Sequence, residues 1–216
     1  MKAEFWHERW ENKLIGFHLD EVNPNLTDNW QQFSLAKGKT VFVPLCGKSL
    51  DLLWLVEQGY EVIGVELSPL AVEEFFSEHD LKVSRESVGK LEKWSANHIT
   101  VYCGDIFDLQ KDEVGKIDAV YDRASLIALP PEMREHYADK IKELANQSPV
   151  LLVTLDYEQD KMDGPPFAVS RTEVETLFSD SYQVIQHDAR DVIEENSRFK
   201  EKGLHYLNEV VYFLQH

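Results

Sequence analysis

Candidate ligand-binding residues follow four stretches of the chain that have the composition of buried strands. They are Leu45-Cys46-Gly47-Lys48-Ser49, Glu66, Gly104-Asp105-Ile106 and Asp122-Arg123. Because ligands of open α/β sheets bind at the carboxyl ends of the strands, we expect these groups to meet at one site. The glycine of the first turn can adopt backbone angles closed to other residues, which lets a ligand approach the backbone closely.

The types of these residues indicate a ligand that contains a nucleoside. Glu66 follows the first turn at about the 20-residue spacing of an acid that binds ribose hydroxyls. Asp105 and Ile106 offer an acid and an apolar side chain that could bracket an adenine ring. Together these residues predict an adenosine site at one edge of the sheet.

The sequence Gly47-Lys48-Ser49 resembles the end of a phosphate-binding P-loop, but its spacing excludes that motif. The first glycine of a P-loop falls on Phe42 here, and the chain has no GxGxxG dinucleotide motif. A nucleoside site without phosphate-binding glycines favours S-adenosylmethionine, which carries a sulfonium and an amino-acid tail instead of phosphates. Acidic residues suit that cation.

Each of these groups also has a plainer interpretation. Glu66 could be an ordinary charge at a strand end, and Arg123 could simply pair with Asp122 or Asp118. The two cysteines, 46 and 103, lie near the expected site, and small buried packing residues explain them better than nucleophiles do.

The elements that must position these residues follow the pattern of a doubly wound α/β domain. Strands are predicted at residues 40–44, 61–67, 99–103, 117–121, 150–155, 182–187 and 209–214, the last two as a terminal hairpin. Helices are predicted at residues 49–58, 69–78, 130–144 and 172–178, with Ser49 and Ser68 as N-caps of the first two. An N-terminal arm has Phe5, Trp6 and Trp10 at helical spacing and could close over a pocket.

Composition and charge exclude several classes of protein. The chain has 216 residues, with 22 Lys and Arg against 39 Asp and Glu, a formal net charge of −17, and 43% hydrophobic residues. This charge disfavours nucleic-acid and anionic membrane partners, and the apolar fraction excludes general disorder. The longest apolar runs fall far short of the roughly 20 residues of a membrane span, and two cysteines without a CxxC pair predict neither a disulfide framework nor a zinc site. We expect a cytoplasmic protein without a metal.

The motifs of this chain resemble those of the thiopurine S-methyltransferase family. The resemblance extends from FWHERW near the N-terminus through PLCGKS, YCGDIFDL, YDRASLIAL and GPPF to LHYLNEVVYFL. It implies a class I methyltransferase with a Rossmann-like α/β fold: a seven-stranded, mostly parallel sheet with an antiparallel last strand, helices on both faces and an N-terminal helical arm over the active site. One domain would span residues 1–216, with the arm at 1–35 and the core at 36–216.

The resemblance also assigns roles to residues of this sequence. The cofactor-binding positions of the family match Trp10, Leu45, Glu66, Asp105, Ile106 and Arg123. The acceptor-binding positions match Phe17, Arg123 and Arg198. No catalytic base is assigned, because a heterocyclic thiol is already acidic and its sulfur is strongly nucleophilic.

These inferences lead to one principal hypothesis and two alternatives. The principal hypothesis is a monomeric cytoplasmic enzyme that uses S-adenosylmethionine to methylate thiopurines and related aromatic or heterocyclic thiols, and also selenium or tellurium species. Its partners would be small-molecule thiols or selenols, neither nucleic acid nor membrane. The alternatives are an NAD-linked oxidoreductase and a non-catalytic nucleoside-binding module.

Overall fold

Within residues 3–216, which the computed structural model describes, nine strands form one mixed sheet. The strands are β1 (Thr40–Val43), β2 (Glu61–Glu66), β3 (Ser84–Val88), β4 (Leu91–Ala96), β5 (Ile99–Cys103), β6 (Ala119–Arg123), β7 (Val150–Asp156), β8 (Gln183–Asp191) and β9 (Asn208–Gln215). Their order is β3-β4-β5-β2-β1-β6-β7-β9-β8. The five central strands, from β5 to β7, are parallel, and the outer pairs are antiparallel.

Helices cover both faces of this sheet. They are α1 (Ala3–Glu11), α2 (Pro24–Asn29), α3 (Asp51–Glu57), α4 (Pro69–Glu78), α5 (Lys111–Val114), α6 (Pro131–Ala145), α7 (Arg171–Phe178) and α8 (Ser197–Glu201). Phe42 of β1 packs in one apolar cluster with α6 and α7, and its neighbour Val41 packs in another with α3 and α4. Successive side chains of a strand point to opposite faces, so both faces of the central sheet are buried. No helix of the described chain is both long and apolar enough to cross a membrane.

The strand count of seven is wrong, because a hairpin of β3 and β4 extends one edge of the sheet. All seven predicted strands are present, and β8 and β9 form the predicted terminal hairpin, with β9 antiparallel to β7. The extra strands escaped prediction because β3 is exposed along almost its whole length and so lacks an apolar alternation. Gly89, at φ +57°, lies in the turn that joins them.

Two predicted details near the site differ from the structure. Helix α3 begins at Asp51, with Leu50 at the N-cap position, but Ser49 still supplies the predicted capping bond, because its hydroxyl accepts a hydrogen bond from the Asp51 amide (3.2 Å). Strand β6 starts two residues later than predicted, because its pairing with β1 begins at Ala119. The cap of α4 is confirmed, since the Ser68 hydroxyl accepts a hydrogen bond from the Ala71 amide (3.4 Å).

The N-terminal arm is held against the core by a buried aromatic and a buried carboxylate. Trp30 is 2% exposed and makes edge-to-face contacts with Tyr60 and Tyr121 at ring-centroid distances of 5.9 and 6.4 Å. Asp51 accepts hydrogen bonds from the Asn23 amide (2.8 Å) and the Tyr121 hydroxyl (3.0 Å). The first two residues of the predicted arm lie outside the described range.

Candidate active site

A cavity opens at the carboxyl ends of β1, β2, β5 and β6, on either side of the point where the strand order reverses. Helix α1 and the segment that follows it cover the cavity. The residues predicted to bind the cofactor or the acceptor all line it except Arg198; they are Trp10, Phe17, Leu45, Glu66, Asp105, Ile106 and Arg123. The four strand ends therefore come together as the sequence predicts.

The turn after β1 has a constrained backbone at the floor of the cavity. Leu45 and Gly47 both have positive φ angles, +45° and +54°. A left-handed leucine is uncommon and is held here by its neighbours, since the Cys46 amide donates to the Val65 carbonyl (3.0 Å). A Cβ atom on Gly47 would lie 3.2 Å from the indole of Trp10, so the arm packs directly on this turn.

Glu66 is a buried carboxylate at the end of β2, only 6% exposed. Its two oxygens accept hydrogen bonds from the Ser68 amide (2.7 Å) and the Gly47 amide (2.9 Å). Burial raises the pKa of Glu66, and these amide donors oppose the shift. Each carboxylate oxygen has a further lone pair, so the group can still accept hydrogen bonds from a ligand in the cavity.

The turn after β5 supplies the residues predicted to contact adenine. The exposed carboxylate of Asp105 accepts a hydrogen bond from the Phe107 amide (3.0 Å), and Ile106 is 6% exposed. Both side chains line the cavity together with Leu67. This part of the cavity combines an apolar wall with one carboxylate.

Aromatic rings of the arm form the opposite wall. Phe17 makes edge-to-face contacts with Trp6 and Trp10 at ring-centroid distances of 5.7 and 5.5 Å. The Arg123 guanidinium donates to the Phe17 backbone carbonyl (3.0 Å) and has no carboxylate partner among the ion pairs of the described chain. This arginine therefore does not pair with Asp122 or Asp118, the plainer interpretation of its position.

Arg198 lies beside the arm, away from the lining of the cavity. Its guanidinium contacts the position of Gly16, next to Phe17, and lies 4.9 Å from the ring of Phe199. Arg198 is therefore next to the aromatic wall, because Gly16 directly precedes Phe17 in the arm. Its acceptor-binding role stays a prediction.

The two cysteines have no features of nucleophiles. Burial raises the pKa of Cys46 far above its ordinary value and that of Cys103 to about 11. Both thiols are therefore protonated at neutral pH, as expected of packing residues. Within residues 3–216, no group of three or more His, Cys, Asp or Glu side chains could hold a metal ion.

Several residues that line the cavity escaped the sequence analysis. They are Arg9, Asp51, Tyr121 and Met133. Arg9 has a weak signal, because it directly precedes Trp10 in the arm that is predicted to close over a pocket. Asp51 has none in the sequence, since its burial depends on contacts with the distant Asn23 and Tyr121.

The buried carboxyl of Asp122, beside Arg123, predicts a pH effect on stability. Burial raises the pKa of Asp122 to about 6, and its oxygen accepts a hydrogen bond from the Tyr137 hydroxyl (2.7 Å). An acid whose folded pKa is raised binds its proton more tightly when folded, so its contribution to stability is present at low pH and lost as pH rises through about 6. Relative to the wild type, Asp122→Asn should therefore gain about 1 to 2 kcal/mol in free energy of unfolding between about pH 5 and pH 8.

Urea denaturation of both proteins at the two pH values measures this change. If the wild type and Asp122→Asn differ in free energy of unfolding by the same amount at both pH values, the prediction is contradicted. A constant offset from the altered hydrogen bond to Tyr137 does not affect the comparison.

The fold is that of class I methyltransferases. The chain matches the 1,6-didemethyltoxoflavin-N1-methyltransferase of Burkholderia thailandensis with a TM-score of 0.64 at 15% identity, over 99% of this chain and 87% of that one. It matches an S-adenosylmethionine-dependent methyltransferase of Anabaena variabilis with a TM-score of 0.63 at 15% identity, over 99% of this chain and 94% of that one. These likenesses establish the architecture.

The family follows from the sequence. The model of the thiopurine S-methyltransferase family matches residues 1–216. Thiopurine S-methyltransferases of Nitrosospira multiformis and Pseudomonas aeruginosa are 49% and 48% identical to the chain, over 99% and 100% of it and 98% and 99% of their own lengths. The chain belongs to the thiopurine S-methyltransferase family and is an S-adenosylmethionine-dependent methyltransferase, so neither alternative of the sequence analysis is supported.

The residues of the cavity fit this cofactor. The buried Glu66 retains free lone pairs beside the turn on which Trp10 packs, at the floor of the cavity. The turn after β5 adds an apolar wall. The acidic side chains of the site suit a sulfonium cation and ribose hydroxyls better than phosphates.

Proposed function

We propose that the enzyme transfers the methyl group of S-adenosylmethionine to the sulfur of a thiopurine or a related aromatic or heterocyclic thiol. The observation that carries this proposal is an aromatic wall next to an arginine that has no carboxylate partner in the part of the chain that the structure describes. The wall is formed by Trp6, Trp10 and Phe17, and Arg123 lines the same cavity. Such a site favours a flat acceptor that carries negative charge.

The cofactor-binding roles proposed for the chain follow from the chemistry of each wall. Glu66 would accept hydrogen bonds from the ribose hydroxyls, and Asp105 and Ile106 would bracket the adenine. Leu45 and Trp10 would enclose the remainder of the cofactor from the floor and from the arm. When bound, the cofactor supplies an electrophilic methyl group on a sulfonium that is already a good leaving group.

The protein's part in the reaction would be to align the acceptor and to favour its thiolate. A guanidinium close to an acidic thiol lowers the pKa of that thiol, which is the role we propose for Arg123. Arg198, one residue from Phe17 through its contact at Gly16, is proposed as a second cation for the acceptor. The aromatic wall and the prolines 165 and 166 would exclude water and hold the ring in line with the methyl group.

No side chain of the cavity is proposed as a general base. Burial, followed by the nearby Lys48 ammonium, lowers the pKa of His18, so this imidazole is largely neutral at pH 7. It could accept a proton, but a thiolate acceptor does not require that. Asp20, which follows Phe17 in the sequence, has a fully exposed side chain outside the lining of the cavity.

The range of acceptors is proposed to include selenium and tellurium species, because methyl transfer needs only a soft, electron-rich atom in line with the methyl group. A net charge of −17 supports a small-molecule acceptor over a nucleic acid. We also propose a cytoplasmic monomer of one domain. In the described part of the chain only Leu14 and Ile185 are large, exposed hydrophobic residues, too few for an extensive apolar interface.

A comparison of acceptors tests the proposed function. Values of kcat/KM would be measured with 6-mercaptopurine, an aromatic thiol, 2-mercaptoethanol, selenite and tellurite. We expect the two ring-bearing thiols to exceed 2-mercaptoethanol by about twofold to tenfold, since an aromatic contact is worth roughly 0.5 to 1.5 kcal/mol beyond the area it buries. Equal values for aliphatic and aromatic thiols would contradict the role of the aromatic wall.

A further inference from the structure

Arg9 of α1 is a cation of the cavity that the proposed roles leave unexplained. Its side chain lines the cavity and is partly buried, and its guanidinium lies 4.5 Å from the ring centroid of Phe5. Its Nε atom is fully buried and has no hydrogen-bond partner among residues 3–216. No ion pair of the described chain includes this residue.

A buried arginine nitrogen without a partner is costly. Leaving a buried donor unsatisfied costs about 1 to 3 kcal/mol, and more when the group is charged. The chain has 39 acidic residues, yet none of those described pairs with Arg9. A guanidinium presents its N–H groups as a fork that matches the two oxygens of a carboxylate. The geometry therefore favours a carboxylate supplied by a ligand.

The neighbours of Arg9 indicate which ligand carries that carboxylate. Trp10, the next residue, packs on Gly47, and the Gly47 amide donates to Glu66, the proposed ribose ligand. Arg9 thus lines the cavity from the same turn of α1 as Trp10, the residue that packs beside the ribose position. Arg123, by contrast, bonds the Phe17 carbonyl in the aromatic wall. The part of S-adenosylmethionine that extends from its ribose is the methionine chain, which ends in a carboxylate.

We propose that Arg9 binds the α-carboxylate of S-adenosylmethionine and so anchors the methionine end of the cofactor. The carboxylate would fill the unsatisfied hydrogen-bonding capacity of the guanidinium. Because binding would pair α1 with the cofactor, it would also stabilise the packing of α1 over the cavity. The inference rests on the family's cofactor and on the proposed ribose site, and it does not depend on which acceptor is methylated.

Isothermal titration calorimetry without any acceptor tests this proposal. S-adenosylmethionine and its decarboxylated analogue, which lacks only the α-carboxylate, would be titrated into the wild type and Arg9→Met. We expect the wild type to bind the analogue about tenfold to hundredfold more weakly than the cofactor, as for a charge-assisted pair. In Arg9→Met the two ligands should bind with nearly equal affinity. Comparing the cofactor-to-analogue ratio of affinities in the wild type with that in Arg9→Met forms a double-mutant cycle between the arginine and the carboxylate.

Controls separate this contact from other effects. Arg171→Met removes an equally charged, exposed side chain that pairs with Glu175 of the same helix, and it should preserve the wild-type ratio. Arg9→Lys keeps the charge but not the forked N–H groups, so it should retain part of the preference for the cofactor over the analogue. This variant replaces Arg9→Met in the test if Arg9→Met does not fold. An unchanged ratio in Arg9→Met, or equal weakening of both ligands, would overturn the proposal. A separate titration with 6-mercaptopurine gives one more outcome. Weaker binding of this acceptor to Arg9→Met, with the cofactor ratio preserved, would also overturn the proposal and would assign Arg9 to the acceptor.

Discussion

Glu66→Ala is expected to weaken the binding of S-adenosylhomocysteine by about tenfold to hundredfold. The substitution removes the buried acceptor proposed for the ribose hydroxyls, and hydrogen bonds to a charged group contribute roughly 1.5 to 3 kcal/mol each. It also leaves the Gly47 and Ser68 amides without their partner, which loosens the turn under the cofactor. Calorimetric titration of the variant measures the loss directly.

Two further variants show whether the effect belongs to the site. Glu61 lies at the other end of the same strand, exposed and paired with His98 (2.7 Å), so Glu61→Ala should bind S-adenosylhomocysteine as the wild type does. Glu66→Gln keeps one carbonyl acceptor and should lie between alanine and the wild type. An affinity of Glu66→Ala within threefold of the wild type would show that Glu66 serves the fold alone.

Replacement of Arg123 by alanine is expected to lower kcat/KM for 6-mercaptopurine by about tenfold to thousandfold. The guanidinium is proposed to stabilise the thiolate, and removing one stabilising donor at a developing or resident charge commonly costs about 10²- to 10³-fold. Arg123→Lys keeps the charge and should retain more activity than Arg123→Ala. Steady-state kinetics with saturating cofactor give both values.

The pH profile distinguishes this electrostatic role from a structural one. Arg123 also donates to the Phe17 carbonyl, so its loss could simply displace the arm. If the guanidinium lowers the pKa of the bound thiol, the pH profile of kcat, which reports groups in the enzyme–substrate complex, should move to higher pH in Arg123→Ala and less in Arg123→Lys. A uniform loss at every pH, equal in the two variants, would assign Arg123 to the support of the arm. Arg171→Met, which removes an exposed side chain, should leave the profile unchanged.

The floor of the site could be predicted because it depends on local sequence. Strand β5 has the predicted limits. Helix α4 begins where its serine cap and proline indicate, and it ends at Glu78 as predicted. Glu66 and Arg123 end apolar strands of the central sheet, so their position at one edge follows from parallel pairing alone. The sequence thus predicts which residues line the cavity when those residues lie at the ends of strands.

The cover of the site could not be predicted because it depends on contacts between distant residues. The bond from Arg123 to the Phe17 carbonyl and the bond from the Asn23 amide to Asp51 both join the arm to the core across long stretches of chain. No periodicity in the sequence records such pairs. The hairpin of β3 and β4 was missed for a different reason, since an exposed edge strand needs no apolar face.

The position of the transferred methyl group on the acceptor tests the central claim most directly. The enzyme would be incubated with 6-mercaptopurine and S-adenosylmethionine that carries an isotopic label in its methyl group, and the product would be examined by mass spectrometry and NMR. The proposed function predicts a single product with the labelled methyl group on sulfur, formed together with S-adenosylhomocysteine. Cofactor binding without transfer of the label, or a labelled methyl group on a ring nitrogen, would contradict it.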